Sequence, residues 1–180
     1  MGADRLRASS GFLLMLAALV LCLPLPWVVA AAVAALVHEC GHYLAICCFT
    51  RKNVGITFSA FSARMPLPEM GRGAELVCAL AGPVFGMLLL LLARWWPRTA
   101  ICALGQSAFN LLPVYPLDGG RALRCGLEMR LDPPRVEKVC AVVAWIFKVL
   151  LVGLSVYAAF FLDFGLLPLL VMLTLLFRIK

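Results

Sequence analysis

Charge is what this 180-residue chain has least of. Only 14% of its residues are charged, against about a quarter in an ordinary soluble domain, while 64% are hydrophobic. That balance excludes a soluble globular domain and leaves a membrane protein. Acidic residues are scarcer still, nine against sixteen basic, and the net charge is +7. The basic residues lie in short clusters between apolar runs, not on one face or stripe, which argues against nucleic acid. Histidine occurs twice, so no site of three histidines exists. The eight cysteines form no C-x-x-C pair, and all but Cys125, in a polar stretch, lie in or beside apolar runs. A cysteine zinc site and a disulfide framework are therefore both disfavoured, and most of these thiols are expected to be small packing residues. No internal repeat is present, which counts against a carrier built from paired halves.

What is present is a series of apolar runs. The first extends from 11 to 49 and is divided by Pro24-Leu25-Pro26 into two helices joined by a tight turn. The first helix is short for a full span, so its start is expected near Arg7. Read alone, 1–23 also resembles a signal peptide, with a cleavage site in Val29-Ala30-Ala31-Ala32 as the competing reading. Further spans are expected at 76–93, interrupted by Ala81-Gly82-Pro83, and at 99–117, 139–161 and 166–177, with Arg94-Trp95-Trp96-Pro97-Arg98 as an interfacial turn. Between the second and third, Val54, Ile56 and Phe58 alternate with Gly55, Thr57 and Ser59, a period of two that suits a strand, and 60–65 can pair back on it. A bare connecting loop is the competing reading. The expected fold is thus an all-α polytopic membrane protein of about six transmembrane helices, with a short membrane-associated β-hairpin after the second.

Six spans put thirteen basic residues on the side of the N-terminus and only Arg94 and Arg98 on the other, with Lys148 left inside a span. By the positive-inside rule both termini and both large loops are cytoplasmic, and the same asymmetry needs the first helix to be retained. Lys148 either pairs with an acidic group or partner, or snorkels to the surface.

Both histidines fall in one stretch, Val37-His38-Glu39-Cys40-Gly41-His42-Tyr43, inside the second apolar run. Side chains at i and i+4 of a helix share a face, so His38 and His42 can hold one metal ion between them. Glu39, one step round, can reach a water on that metal and take its proton. This is the H-E-x-x-H pattern of zinc hydrolases. Chance placement of two histidines and five glutamates would give it about 3 times in 10⁴, and ionisable groups in an apolar helix cost enough to need a use.

A catalytic zinc takes three protein ligands and keeps a fourth position open. Asp118 is the strongest candidate for the third, because Pro113 and Pro116 break the helix before it and Gly119-Gly120 let the backbone bend after it. An exposed aspartate capping a helix that starts near Gly119 is an almost equal alternative. Cys40 is turned about 200° from His38 and is a poor ligand. Glu75 and Asp163 lack the surrounding context.

Together, His38-Glu39-Cys40-Gly41-His42 on an early span and Asn110-x-x-Pro113-x-x-Pro116-Leu117-Asp118-Gly119-Gly120 some seventy residues later resemble the site-2 protease family of intramembrane zinc metalloproteases. The likeness covers about 27–121, and the size, without a PDZ insertion, is most similar to the small sporulation-type branch. The resemblance implies one metalloprotease domain over 1–180, with a catalytic core at about 27–121 and accessory spans at 134–180. It implies that His38, His42 and Asp118 bind one zinc ion and that Glu39 is the general base. It also implies that Asn110 positions substrate or stabilises the oxyanion, a helix-to-helix hydrogen bond being the plainer use of such a residue. The hairpin and Ala81-Gly82-Pro83 have counterparts in the family, whereas Gly86 stands where many members carry a polar residue, and no regulatory nucleotide-binding domain is expected after the last span. The implied substrate is a membrane protein with a transmembrane segment, such as a membrane-anchored transcription factor, an anti-sigma factor or a signal-peptide remnant, in a bacterial cell membrane. Regulatory membrane proteins are possible partners. Substrate must arrive as extended chain, and the 54–59 strand is expected to accept it by β-augmentation. The competing function is a metal-binding membrane protein without catalysis, or a carrier.

Overall fold

The computed structural model describes residues 20, 23–50 and 70–161, together with the backbone of three short strands at 6–8, 56–59 and 62–64. Most of the expected first span and all of the expected last one lie outside the described residues. The chain divides into two units, Met1–Phe109 and Asn110–Lys180.

In the first unit, helix α1 is Leu25–Thr50. It starts where the sequence places the turn: Pro24 offers its carbonyl to the Trp27 and Val28 amides, at 2.9 and 3.3 Å, and Pro26 sits in the first turn, where a missing N–H costs nothing. The residues α1 buries, Val28, Ala30, Ala34, His38, Gly41, His42 and Ile46, recur at helical spacing and form one stripe. Val29, Leu36, Cys40 and Leu44 form the exposed one. Cys40 therefore faces away from the histidines, as helix geometry requires.

Helix α2, Arg72–Leu88, packs against α1 and tightens into a 3-10 turn at Leu89–Leu92. Its first turn carries an Arg72–Glu75 ion pair at 3.0 Å. Pro83 lies inside it, removing one N–H from the helical ladder. Helix α3, Pro97–Asn110, completes the packing through Ala103, which clusters with Ala34 of α1 and Leu89. The span expected over 99–117 is here a helix of 14 residues, about 21 Å long, which is short of the roughly 30 Å of a bilayer core. Asn110 ends it because Pro113 and Pro116 cannot continue the ladder.

The three strands form one sheet in the order β1 (Leu6–Ala8), β2 (Ile56–Ser59), β3 (Ser62–Arg64). β2 and β3 run antiparallel, with Thr57 opposite Arg64 and Ser59 opposite Ser62. β1 joins β2 in parallel, Leu6 opposite Ile56. This last pairing has a consequence for substrate: β2 is central and both its edges are occupied, so it cannot take up an extended peptide. Among the described strands, only β1 and β3 keep an open edge.

In the second unit, residues 111–117 form a loop that contains a cis Tyr115–Pro116 bond and closes through a Leu117 amide to Val114 carbonyl hydrogen bond of 2.9 Å. Helix α4, Asp118–Glu128, follows, and helix α5, Pro133–Phe161, packs against it. Cys125, expected in a polar loop, is a buried residue of α4. Arg124 and Glu128 pair at 2.9 Å on the exposed side of α4. α5 presents Val142, Trp145, Ile146, Val149, Leu150, Leu154 and Phe160 outward, as a helix in lipid does. Lys148 is half-buried within it.

Three described helices are long and apolar enough to cross a membrane: Leu25–Thr50, Arg72–Leu92 and Pro133–Phe160. They stand in place of the four that the sequence predicts over 23–161.

Candidate metal centre

His38 and His42 project from the buried stripe of α1, 2% and 8% exposed. Their rings meet edge to face, with the two Nε2 atoms 3.3 Å apart. His42 Nδ1 lies 2.7 Å from the Cys78 carbonyl oxygen of α2. A carbonyl only accepts, so Nδ1 carries the proton and Nε2 presents a lone pair. The hydrogen bond also fixes the plane of the ring, the arrangement in which a metal-ligating histidine is commonly held.

Two nitrogens each about 2.0–2.1 Å from a tetrahedral zinc ion stand about 3.3–3.4 Å apart. The observed separation meets that requirement, and the neutral tautomer of His42 supplies the right donor. The imidazole pair therefore fits a zinc ion. Without a cation, the two Nε2 atoms can lie this close only if one of them carries a proton, so ion and proton compete for the same place.

The pair rests on α2, at Gly82 of the Ala81-Gly82-Pro83 segment and at Gly86. A side chain on Gly82 would land on the His42 ring at Nε2. One on Gly86 would come within 2.5 Å of Ser107 Oγ and 3.7 Å of His38 Nδ1. Gly41, between the histidines, is held to glycine in turn: a Cβ there would meet the Ala81 carbonyl oxygen at 2.6 Å and Phe85 Cβ at 2.8 Å. Three glycines thus let two helices meet backbone to backbone, the way small residues bring helices together where lipid removes any hydrophobic drive between them. The signal was legible as Gly82-x-x-x-Gly86 in an apolar helix, a close-packing pattern. The Cys78 carbonyl had no signal, since a backbone acceptor is present at every position. Gly82 leaves that carbonyl uncovered, because it lies one turn further on the same face.

Glu39 is half-buried on α1, next to His38. Asn110 is the half-buried last residue of α3. Asp118 is the first residue of α4 and is buried, 9% exposed, where the positive end of the helix favours a carboxylate. The exposed-cap alternative does not hold, because the cap position belongs to Leu117 and no side chain caps the helix. Gly119 and Gly120 are helical and make no sharp bend. Their lack of side chains admits the loop: a Cβ on Gly119 would strike the Leu111 carbonyl, and one on Gly120 the backbone of Val114 and Tyr115.

The class of protein defined by these features is an integral membrane protein of apolar helices with an imidazole pair buried where two of them meet. No family model and no curated protein sequence matches the chain. Among solved structures, its fold is similar to that of the site-2 protease from Methanocaldococcus jannaschii, with a TM-score of 0.67 over 96% of this chain and 88% of that one, at 19% sequence identity. At that identity the likeness is one of fold.

Proposed function

We propose that this chain is an intramembrane zinc metalloprotease of the site-2 type, in the small sporulation-type branch, cutting a peptide bond in or near the transmembrane segment of another membrane protein. The observation that carries the reading is the facing pair of Nε2 atoms, 3.3 Å apart, with the tautomer of His42 set by the Cys78 carbonyl. His38, His42 and Asp118 hold the ion in this reading. Each is a residue type that binds zinc, and each is buried. The likeness of fold to a known site-2 protease supports the same conclusion.

When bound, zinc acidifies a water and polarises a carbonyl. Glu39 would accept a proton from the water that attacks the scissile carbonyl and return it to the leaving amine. Asn110 orients the substrate backbone or donates to the developing oxyanion. Substrate enters as locally unwound chain, since a helix keeps its carbonyls in internal hydrogen bonds. With β2 enclosed, the open edges of β1 and β3 are those left to receive it, and the sheet is the membrane-associated element of the reading. Both termini lie on the cytoplasmic side of a bacterial cell membrane, given the thirteen-to-two distribution of basic residues.

The test is zinc stoichiometry in the purified protein and in Asp118→Ala, followed by cleavage of a single-span membrane substrate. One ion per wild-type chain, much less in the variant, and cleavage by the wild type alone are expected. Wild-type protein that binds zinc but cuts no single-span substrate would favour a non-catalytic metal-binding protein or carrier. In the same assay Lys148→Met separates the two uses of that charge: an unchanged rate assigns it to snorkelling, and a loss of cutting to a partner contact.

A further inference from the structure

Ser107 is fully buried on the inner stripe of α3, with Ala100 and Ala103. Its Oγ makes no hydrogen bond among the described residues. A buried hydroxyl left so has given up its hydrogen bonds to water with nothing in return, so the position calls for a polar partner. The hydroxyl points into the notch that Gly86 leaves open, and the same notch is faced by Nδ1 of His38: a single point, the place of a Cβ on Gly86, is 2.5 Å from the hydroxyl oxygen and 3.7 Å from the ring nitrogen. We infer that Ser107 is a positioning residue for the metal centre, its hydroxyl taking the hydrogen bond of His38 Nδ1–H through one water seated in the notch.

The chemistry is that of the neighbouring ring. His42 gives its Nδ1 proton to a carbonyl of α2 and so turns a lone pair on Nε2 towards the ion. His38 has to be held in the same tautomer for both Nε2 atoms to serve one metal. A hydroxyl suits this position because it accepts a hydrogen bond and has a proton of its own to pass on to another acceptor. Gly86 is then the residue that keeps the space between Ser107 and His38 free of carbon.

This inference rests on the zinc reading of the imidazole pair, and the experiment separates the two. Zinc affinity is measured by chelator competition on the full chain in detergent, for wild type and for Ser107→Ala, Ser107→Val and Ser107→Thr. Valine and threonine have nearly the same shape and differ in the hydroxyl. Ser107→Ala and Ser107→Val are expected to bind zinc about tenfold or more weakly, the usual cost of losing an outer hydrogen bond to a ligand, with Ser107→Thr restored towards wild type. The Nδ1 proton signal of His38 in histidine-labelled protein is expected to weaken in the alanine variant, a change that loss of packing alone would not produce. Alanine removes a single atom and tests the role by itself if the larger side chains disturb folding. Wild-type protein that binds no zinc would overturn the metal reading. Zinc binding in wild type with equal affinity in Ser107→Ala would overturn the role of Ser107 and leave the metal reading standing.

Discussion

Replacing Glu39 with glutamine is expected to lower cleavage by about 10²–10⁴-fold while zinc stoichiometry stays at the wild-type value, because in the proposed mechanism Glu39 is the general base and not a ligand. The exchange preserves shape and a hydrogen-bonding oxygen, and it removes the ability to accept a proton. Glu39 is half-buried one step from His38, and the hydrogen bond that fixes the His42 ring runs to the Cys78 carbonyl of α2. The measurement is a single-turnover cleavage assay beside metal analysis of the same sample. Full activity in the variant would reassign the base, and loss of zinc would show Glu39 to be a ligand.

The second large effect is steric. Gly82→Ala is expected to abolish stoichiometric zinc binding, and overpacking of this kind costs about 1–3 kcal/mol of stability. The added methyl falls on the ring of His42 at Nε2, the atom that faces the ion in the proposed centre. The ring cannot swing aside and keep its 2.7 Å bond to the Cys78 carbonyl, so alignment and tautomer are lost together. Gly105→Ala is the control, since nothing lies within 4 Å of a Cβ there and zinc binding should be retained. Metal analysis and thermal unfolding of the two variants decide the matter. Normal zinc content in Gly82→Ala would mean that the imidazoles do not depend on this face of α2.

Much of α1 was legible in the sequence because it depends on one period. Spacing by four puts His38 and His42 on the same face, and spacing by two turns Cys40 away. The prolines at 24 and 26 mark its start, and those at 113 and 116 mark where α3 has to end. The span expected at 99–117 came out short because hydropathy continues through Pro113 and Pro116 while the hydrogen-bond ladder does not. Residues 118–128 are a helix with a buried face although their overall composition is polar. The strand at 6–8 was not legible either, since three residues beside a basic N-terminus carry no period and their pairing with β2 joins positions some fifty residues apart.

The sequence by itself determined a membrane-embedded chain and one helix bearing two imidazoles and a carboxylate in register, because composition and helical period are properties of the chain alone. Tertiary structure decided that Cys78 supplies the carbonyl that orients His42, that Gly82 and Gly86 are the floor beneath the rings, and that Ser107 faces the same notch. The physical reason is that these roles come from close approach: a glycine or a backbone carbonyl becomes part of a site only when another helix passes within contact distance of it.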